Sequence, residues 1–331
     1  MLKIGTIGTG NIVSEFIEAC REVTGVEVSC LYSRSLEKAK IFALKNNLSV
    51  RIVDNFEDML DHIDIIYIAS PNGLHYQQAK YFLQQQKYVL IEKPATFLAQ
   101  ELIELREVAI INNVFLMEAF KPIHLPAYQV LQENVNRMHP FLATFHCNQY
   151  SSRMKEVLLD DYNSVFDEIL GKGSLYDMLI YPVELAVALF GPVKDVKAMS
   201  HKLKNGVDIN NVVLLRHHSN ILTNIVCSKA AVGISASEIL SYDATINFTN
   251  LTKLETISVY NRLTNKTTMI PLPAEYQNKM YYELQHFVNI INTGNYSEMQ
   301  RLLDYSIAAI RILEAVQVNE EQQGELLNEI K

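Results

Sequence analysis

From Lys3 to Met117 this chain alternates short apolar runs with amphipathic stretches, a rhythm that few folds accommodate. The β-branched or aromatic runs are Lys3 to Ile7, Val26 to Tyr32, Ile63 to Ala69, Tyr88 to Ile91 and Val114 to Met117. Strands separated by helices read as a parallel sheet covered on both faces, here a doubly wound nucleotide-binding domain over residues 1–120. Its first helix is expected to bury Ile12, Phe16, Ala19, Cys20 and Val23, and its second Leu36, Ala39, Ala43 and Leu44. After Pro122 and Pro126 the rhythm changes to a helix near Leu125 to Glu133, a strand at Leu142 to Gln149 and a polar stretch from Ser151 to Asp167. A helix, several strand-like runs between Val193 and Ile270, and two closing helices follow. The expectation is an α/β chain whose second domain, 121–331, is α+β with a mainly antiparallel sheet and helices on one face.

With 331 residues, 49 % of them hydrophobic, the chain can fill two cores of ordinary size. A net charge of -8 and no cluster of Lys or Arg give no footprint for nucleic acid. No segment approaches the roughly 18 uninterrupted apolar residues of a membrane span, and the N-terminus enters a strand without a signal-peptide pattern. Cys20, Cys30, Cys147 and Cys227 show neither a CxxC pair nor metal-ligand spacing. They read as reduced core residues of a cytoplasmic protein. His217 and His218 are adjacent in an expected strand and point to opposite faces, a poor chelating pair, so no metal site is expected.

Gly8-Thr9-Gly10-Asn11-Ile12 follows the first strand and opens the first helix, where a dinucleotide-binding turn belongs. Gly8 lets the chain turn, Gly10 lets a pyrophosphate approach the backbone, and the N–H groups at the helix start at Asn11 and Ile12 bind the anion. Val13 stands where a third small residue is usual. The second strand ends in Tyr32-Ser33-Arg34-Ser35 with no acidic residue to hold a ribose 2′-hydroxyl, and Ser33 with Arg34 suits a 2′-phosphate. NADP is therefore favoured over NAD, although a serine here can simply cap the helix from Leu36 and leave Arg34 solvated.

Glu92-Lys93-Pro94 closes the apolar run Tyr88 to Ile91, and Asp177 and Tyr181 stand four residues apart. On one helix the latter two would share a face and could reach one hydroxyl. A free tyrosine has a pKa near 10, so acid/base work near neutrality needs a shift of about three units, about 4 kcal/mol. One ammonium at about 4 Å in an effective dielectric of about 20 supplies that much. Taken alone, Asp177 reads rather as a first-turn acid on a helix dipole and Tyr181 as an ordinary buried aromatic.

The ordered set Gly8-Thr9-Gly10, Ala69-Ser70-Pro71-Asn72 with His75, Glu92-Lys93-Pro94, Glu118-Ala119-Phe120 and Gly173-Ser174-Leu175-Tyr176-Asp177 resembles the glucose-fructose oxidoreductase, inositol dehydrogenase and MocA family over almost the whole chain. Tyr181, where most members have a histidine, is similar to the branch that includes dimeric dihydrodiol dehydrogenase. The resemblance implies a Rossmann domain, an open-sheeted C-terminal domain and NAD(P)-dependent oxidation or reduction of a small-molecule sugar, polyol or related hydroxy compound. It implies Lys93 and Tyr181 as the acid/base pair and Asp177 as the group orienting them or the substrate. Pro71, Asn72 and His75 would lie beside the ribose and nicotinamide, with Glu92 on the cofactor side. A homodimer or higher homo-oligomer through the exposed sheet face is also implied.

Leu179 and Lys172 depart from the family's pattern, and Pro182 either kinks the helix after Tyr181 or marks the first turn of a separate helix to Phe190. If Leu179 occludes the substrate pocket, the alternative is a non-enzymatic NADP-binding sensor or regulatory protein. The stretch Met154 to Asp167 is a candidate loop over the active site.

Overall fold

The structure, a computed structural model, describes residues 1–162 and 164–328; Asn163, within the candidate loop, and residues 329–331, the end of the expected second domain, lie outside it. The chain forms two compact units, Met1–Lys121 with Glu275–Asp304, and Pro122–Ala274 with Tyr305–Lys331. Where the sequence reading keeps 121–331 in one piece, Glu275–Asp304 returns to the first unit.

The first unit holds strands β1 (Leu2–Ile7), β2 (Val26–Tyr32), β3 (Arg51–Val53), β4 (Ile65–Ile68), β5 (Tyr88–Glu92) and β6 (Leu116–Ala119). They form a parallel sheet in the order β3-β2-β1-β4-β5-β6, a doubly wound Rossmann arrangement. Helices α1 (Asn11–Glu22), α2 (Leu36–Lys45), α3 (His75–Gln84) and α4 (Ala99–Ile111) join the strands. All four residues of β4 and the Val89, Leu90 and Ile91 core of β5 are fully buried, as central strands covered on both faces require.

Two helical stripes differ from expectation. In α1 the buried face is Val13, Phe16, Ile17, Ala19 and Cys20, whereas Ile12, in the first turn beside Gly10, is exposed. In α2, Ala39, Phe42 and Ala43 face the core, while Leu36 and Leu44, in the first and last turns of a ten-residue helix, point to solvent.

The second unit contains α5 (Pro126–Met138), β7 (Leu142–Asn148), α6 (Met154–Val157), α7 (Gly173–Asp177), α8 (Ile180–Phe190) and seven further strands. These are β8 (Val193–Lys202), β9 (Asp208–His217), β10 (Leu222–Ser228), β11 (Ser237–Leu240), β12 (Ala244–Thr249), β13 (Thr256–Asn261) and β14 (Lys266–Met269). They join β7 in one eight-stranded sheet, β14-β13-β12-β11-β7-β10-β9-β8, antiparallel except where β7 meets β10. Alternation along β9 buries Val213, Leu215 and His217 and exposes Val212, Leu214 and Arg216, so one face carries helices and the other is open.

The polar stretch after Ser151 is anchored by a few apolar side chains. Met154, Val157 and Phe166 pack with Val207 and Ile209 in a small buried cluster. The chain then returns to the first unit in α9 (Met280–Thr293), which lies against α1, and in the first turns of α10 (Tyr296–Asn328).

Candidate active site

In the first unit, the turn after β1 is shaped by Gly8, whose φ of 116° favours glycine and where a Cβ would come within 2.7 Å of the Ala69 carbonyl oxygen. Gly10 caps α1 and has ordinary dihedrals, yet no protein atom lies within 4 Å of a Cβ built there. Gly10, Asn11 and Ile12 are all exposed. The first N–H groups of a helix lack intrahelical acceptors, so this end suits an anion such as a dinucleotide's pyrophosphate. Val13 is fully buried against the Gly8 turn, which explains why a third small residue is not needed.

Arg34 is exposed at the end of β2. Ser33 Oγ accepts a hydrogen bond from Ser35 N–H at 3.2 Å, and Ser35 caps α2 by accepting from Lys38 N–H at 3.3 Å. Ser33 retains its own hydroxyl proton for a ligand. The turn therefore satisfies its own backbone and leaves one guanidinium and one hydroxyl facing outward.

The tripeptide Glu92-Lys93-Pro94 is held by three buried or half-buried side chains. Tyr67 of β4 donates to Glu92 Oε1 at 2.5 Å, and Glu118 of β6 accepts from Ala95 N–H at 2.6 Å. His75, fully buried at the start of α3, has Nδ1 at 2.9 Å from the Pro94 carbonyl and Nε2 at 2.9 Å from that of Ser70. His75 thus ties the Ser70-Pro71-Asn72 loop to the chain just after Lys93. Burial outweighs both carbonyls and lowers its pKa, so the ring is neutral near pH 7 and donates through one nitrogen. The peptide bond Lys93–Pro94 is cis.

Glu92 is not alone. Burial raises its carboxyl pKa against the opposing Tyr67 hydroxyl and the Lys93 and Lys121 cations. Glu283, 1 % exposed on α9, is pushed well above the usual carboxylate range by burial and then by the charge of Glu92, and its Oε2 has no hydrogen-bond partner. An ionised Glu92 therefore makes ionisation of Glu283 still less favourable. Glu283 stands where an apolar residue fits the stripe of Met280, Leu284, Phe287 and Val288, a misplaced charge readable in the sequence and not used there.

In the second unit, Asp177 and Tyr181 do not lie on one continuous helix. α7 ends at Asp177 and α8 begins at Ile180, with Pro182 in the first turn of the new helix, where its missing N–H is harmless. Gly191, at φ 83°, then ends α8. From Gly173 to Ala188 every residue is buried except Asp177 and Tyr181, which are half-buried, so the pair still marks the open side of this segment. Leu179 is fully buried in the core of its unit. Lys172 adopts a left-handed φ of 55° before Gly173, where a Cβ would run into the Asp208 carbonyl. Asp177 Oδ2 is ion-paired with Lys229 Nζ, a partner that sequence reasoning missed. Lys229 stands directly after β10 and before Ala230 and Ala231, and a lone lysine in such a run was the available signal.

A doubly wound six-stranded sheet, a glycine turn open at a helix N-terminus and a braced lysine at the end of a central strand define a pyridine-nucleotide oxidoreductase. Residues 2–120 match the oxidoreductase family with NAD-binding Rossmann fold, and residues 141–246 match its GFO/IDH/MocA C-terminal domain. The chain belongs to the GFO/IDH/MocA family and is an NAD(P)-dependent enzyme. It is 33 % identical over 322 residues to scyllo-inositol 2-dehydrogenase (NADP(+)) IolU of Bacillus subtilis, covering 95 % of each chain. It is 27 % identical to a trans-1,2-dihydrobenzene-1,2-diol dehydrogenase of Xenopus tropicalis over 65 % of each. Its fold is that of a 3-ketoreductase from Actinomadura kijaniata, solved with NADP and TDP-benzene, with a TM-score of 0.84 at 19 % identity over 96 % of this chain and 98 % of the other. Among the described residues, no helix is long and apolar enough to cross a membrane.

Proposed function

We propose that the protein is an NADP-dependent dehydrogenase of a cyclic polyol or sugar, with Lys93 and Tyr181 as the acid/base pair. The observation that carries this reading is the bracing of Lys93: the residues on both sides of it are fixed by Tyr67, His75 and Glu118, an investment in holding one ammonium still. Similarity to an NADP-dependent scyllo-inositol dehydrogenase over 95 % of both chains supports the substrate class.

The nicotinamide, when bound, supplies the hydride chemistry at its C4 atom. Gly8, Gly10, Asn11 and Ile12 hold the pyrophosphate, Ser33 and Arg34 take the 2′-phosphate, and Pro71, Asn72, His75 and Glu92 shape the ribose and nicotinamide side. Tyr181 accepts the hydroxyl proton during oxidation and returns it during reduction, Lys93 lowers the cost of the phenolate, and Asp177 orients the reacting hydroxyl. A homodimer through the open sheet face, where Met199, Val212, Leu214 and Leu222 are exposed, and a cytoplasmic location consistent with four free cysteines complete the proposal.

The test is fluorescence titration with NADPH and NADH, then turnover of scyllo-inositol, other inositols, sugars and dihydrodiols. Tight NADPH binding with turnover that Lys93→Ala abolishes, at unchanged NADPH affinity, is expected. Full activity of Lys93→Ala removes Lys93 from the mechanism, and nucleotide binding without turnover of any of these compounds overturns the substrate class. A monomer in sedimentation at micromolar concentration overturns the dimer.

A further inference from the structure

Lys229 is 6 % exposed, and a lysine that deep in a protein needs an opposite charge. Its backbone is fixed on both sides: the N–H donates to the Ile209 carbonyl at 3.0 Å, and the carbonyl accepts from Ser151 N–H at 2.8 Å. The ammonium lies 5.9 Å from the centre of the Phe166 ring, within cation–π range, and pairs with Asp177 Oδ2. The lysine side chain is 8 % exposed and the aspartate 23 %, so the cation stands behind the carboxylate.

We infer that Lys229 is a positioning residue, which fixes the Asp177 carboxylate in one orientation and cancels its charge, so that Tyr181 ionises beside a neutral pair. This rests on the reading of Tyr181 as the acid/base group. Both side chains mark the open side of this segment, and an unpaired carboxylate beside a phenol in a partly exposed site opposes phenolate formation by about one pH unit. Without Lys229, Asp177 would undo part of what Lys93 is there to supply.

Other titratable groups around these helices have contacts elsewhere. Glu168, Lys172, Tyr176, Lys202 and Asp208 line a separate cavity of about 230 Å³, where Lys202 Nζ is 3.9 Å from Asp208 Oδ1. On α8, Glu184 is fully buried and accepts from Ser306 Oγ at 3.0 Å. Tyr128 of α5 donates to the Ala188 carbonyl at 3.3 Å. Under α7, Cys227 lies 3.7 Å from Ser174 Oγ and stays a thiol because burial raises its pKa.

The experiment is an NMR titration of protein labelled with carbon-13 at the tyrosine Cζ atoms, the Tyr181 signal being assigned with Tyr181→Phe. Lys229→Met is expected to raise the Tyr181 midpoint by about one pH unit. Lys229→Arg should keep it near the wild-type value, and Asp177→Asn, which leaves the cation alone, should lower it. The double variant Asp177→Asn with Lys229→Met should return it towards wild type. Should Lys229→Met fail to fold, the downward shift in Asp177→Asn decides. An unchanged midpoint in folded Lys229→Met, or an upward shift in Asp177→Asn, overturns the inference. Failure of the underlying reading has a different signature: Tyr181→Phe keeps full turnover while the titration shifts still appear.

Discussion

Tyr67 donates its hydroxyl to Glu92 Oε1 at 2.5 Å while its ring stacks on Phe16, 3.7 Å between centroids and 9° from parallel. One side chain thus joins the residue before Lys93 to the helix that opens at the glycine turn. Tyr67→Phe keeps the stack and removes the donor. The expected loss is about 1–3 kcal/mol of stability in urea unfolding, because a largely desolvated carboxyl loses its partner.

Glu283 gives a prediction of opposite sign. Its pKa is raised in the folded state, so the stability it contributes is fully present below the unfolded value, near 4.5, and is lost as pH rises through the folded value. Glu283→Gln, neutral at every pH, should match the wild type near pH 4.5 and be the more stable protein at pH 8. Thermal melts across that range check it, and equal curves at both ends would mean that Glu283 is not held protonated.

The two turn glycines should separate fold from affinity. Gly8→Ala meets both a positive φ and the Ala69 carbonyl and is expected to cost about 1–3 kcal/mol. Gly10→Ala meets nothing in the protein at φ -84°, so its melting temperature should stay near wild type while NADPH affinity falls at least about ten-fold. Calorimetric melts and NADPH titration of both variants give the answer.

If Arg34 holds the 2′-phosphate as proposed, Arg34→Ala should weaken NADPH binding about ten-fold or more and leave NADH binding within about two-fold. The NADPH difference should shrink at high salt, because Arg34 is exposed. Parallel titrations of both nucleotides at two salt concentrations test it.

His217 bridges the Gly191 carbonyl at 2.7 Å and Thr223 Oγ1 at 3.1 Å, and its burial lowers the pKa, as it does for His75. The unfolded chain therefore takes up these protons more readily. The stability the two histidines contribute is present above about pH 6.5 and is lost as pH falls below it towards the folded values. His217→Gln should flatten the fall in melting temperature between pH 7 and pH 5; a slope equal to wild type would show that His217 does not titrate on unfolding.

The parallel sheet was legible because continuous β-branched runs between amphipathic stretches have few other uses, and the glycine turn because its place after β1 is dictated by the fold. β3 was missed since three residues carry too little pattern to stand out. The errors at Ile12, Leu36 and Leu44 have one cause: a short helix leaves its stripe poorly determined, and end residues go wherever neighbouring loops direct them. Lys229 and Glu283 escaped because their meaning lies in partners distant in sequence, Asp177 in one case and Glu92 in the other. A charge inside an apolar run marks such residues without naming what they meet.

The helix that packs on α1 is supplied by residues far along the chain, since Met280–Thr293 belongs to the same compact unit as β1 to β6. The nucleotide half is therefore not a cassette that can be cut out at residue 121. A chimera that exchanges only the N-terminal segment with a relative would pair one protein's α1 with another's α9, so that Glu283 would meet strands and a helix it did not arise with. Recombination between relatives should succeed only when the two segments travel together.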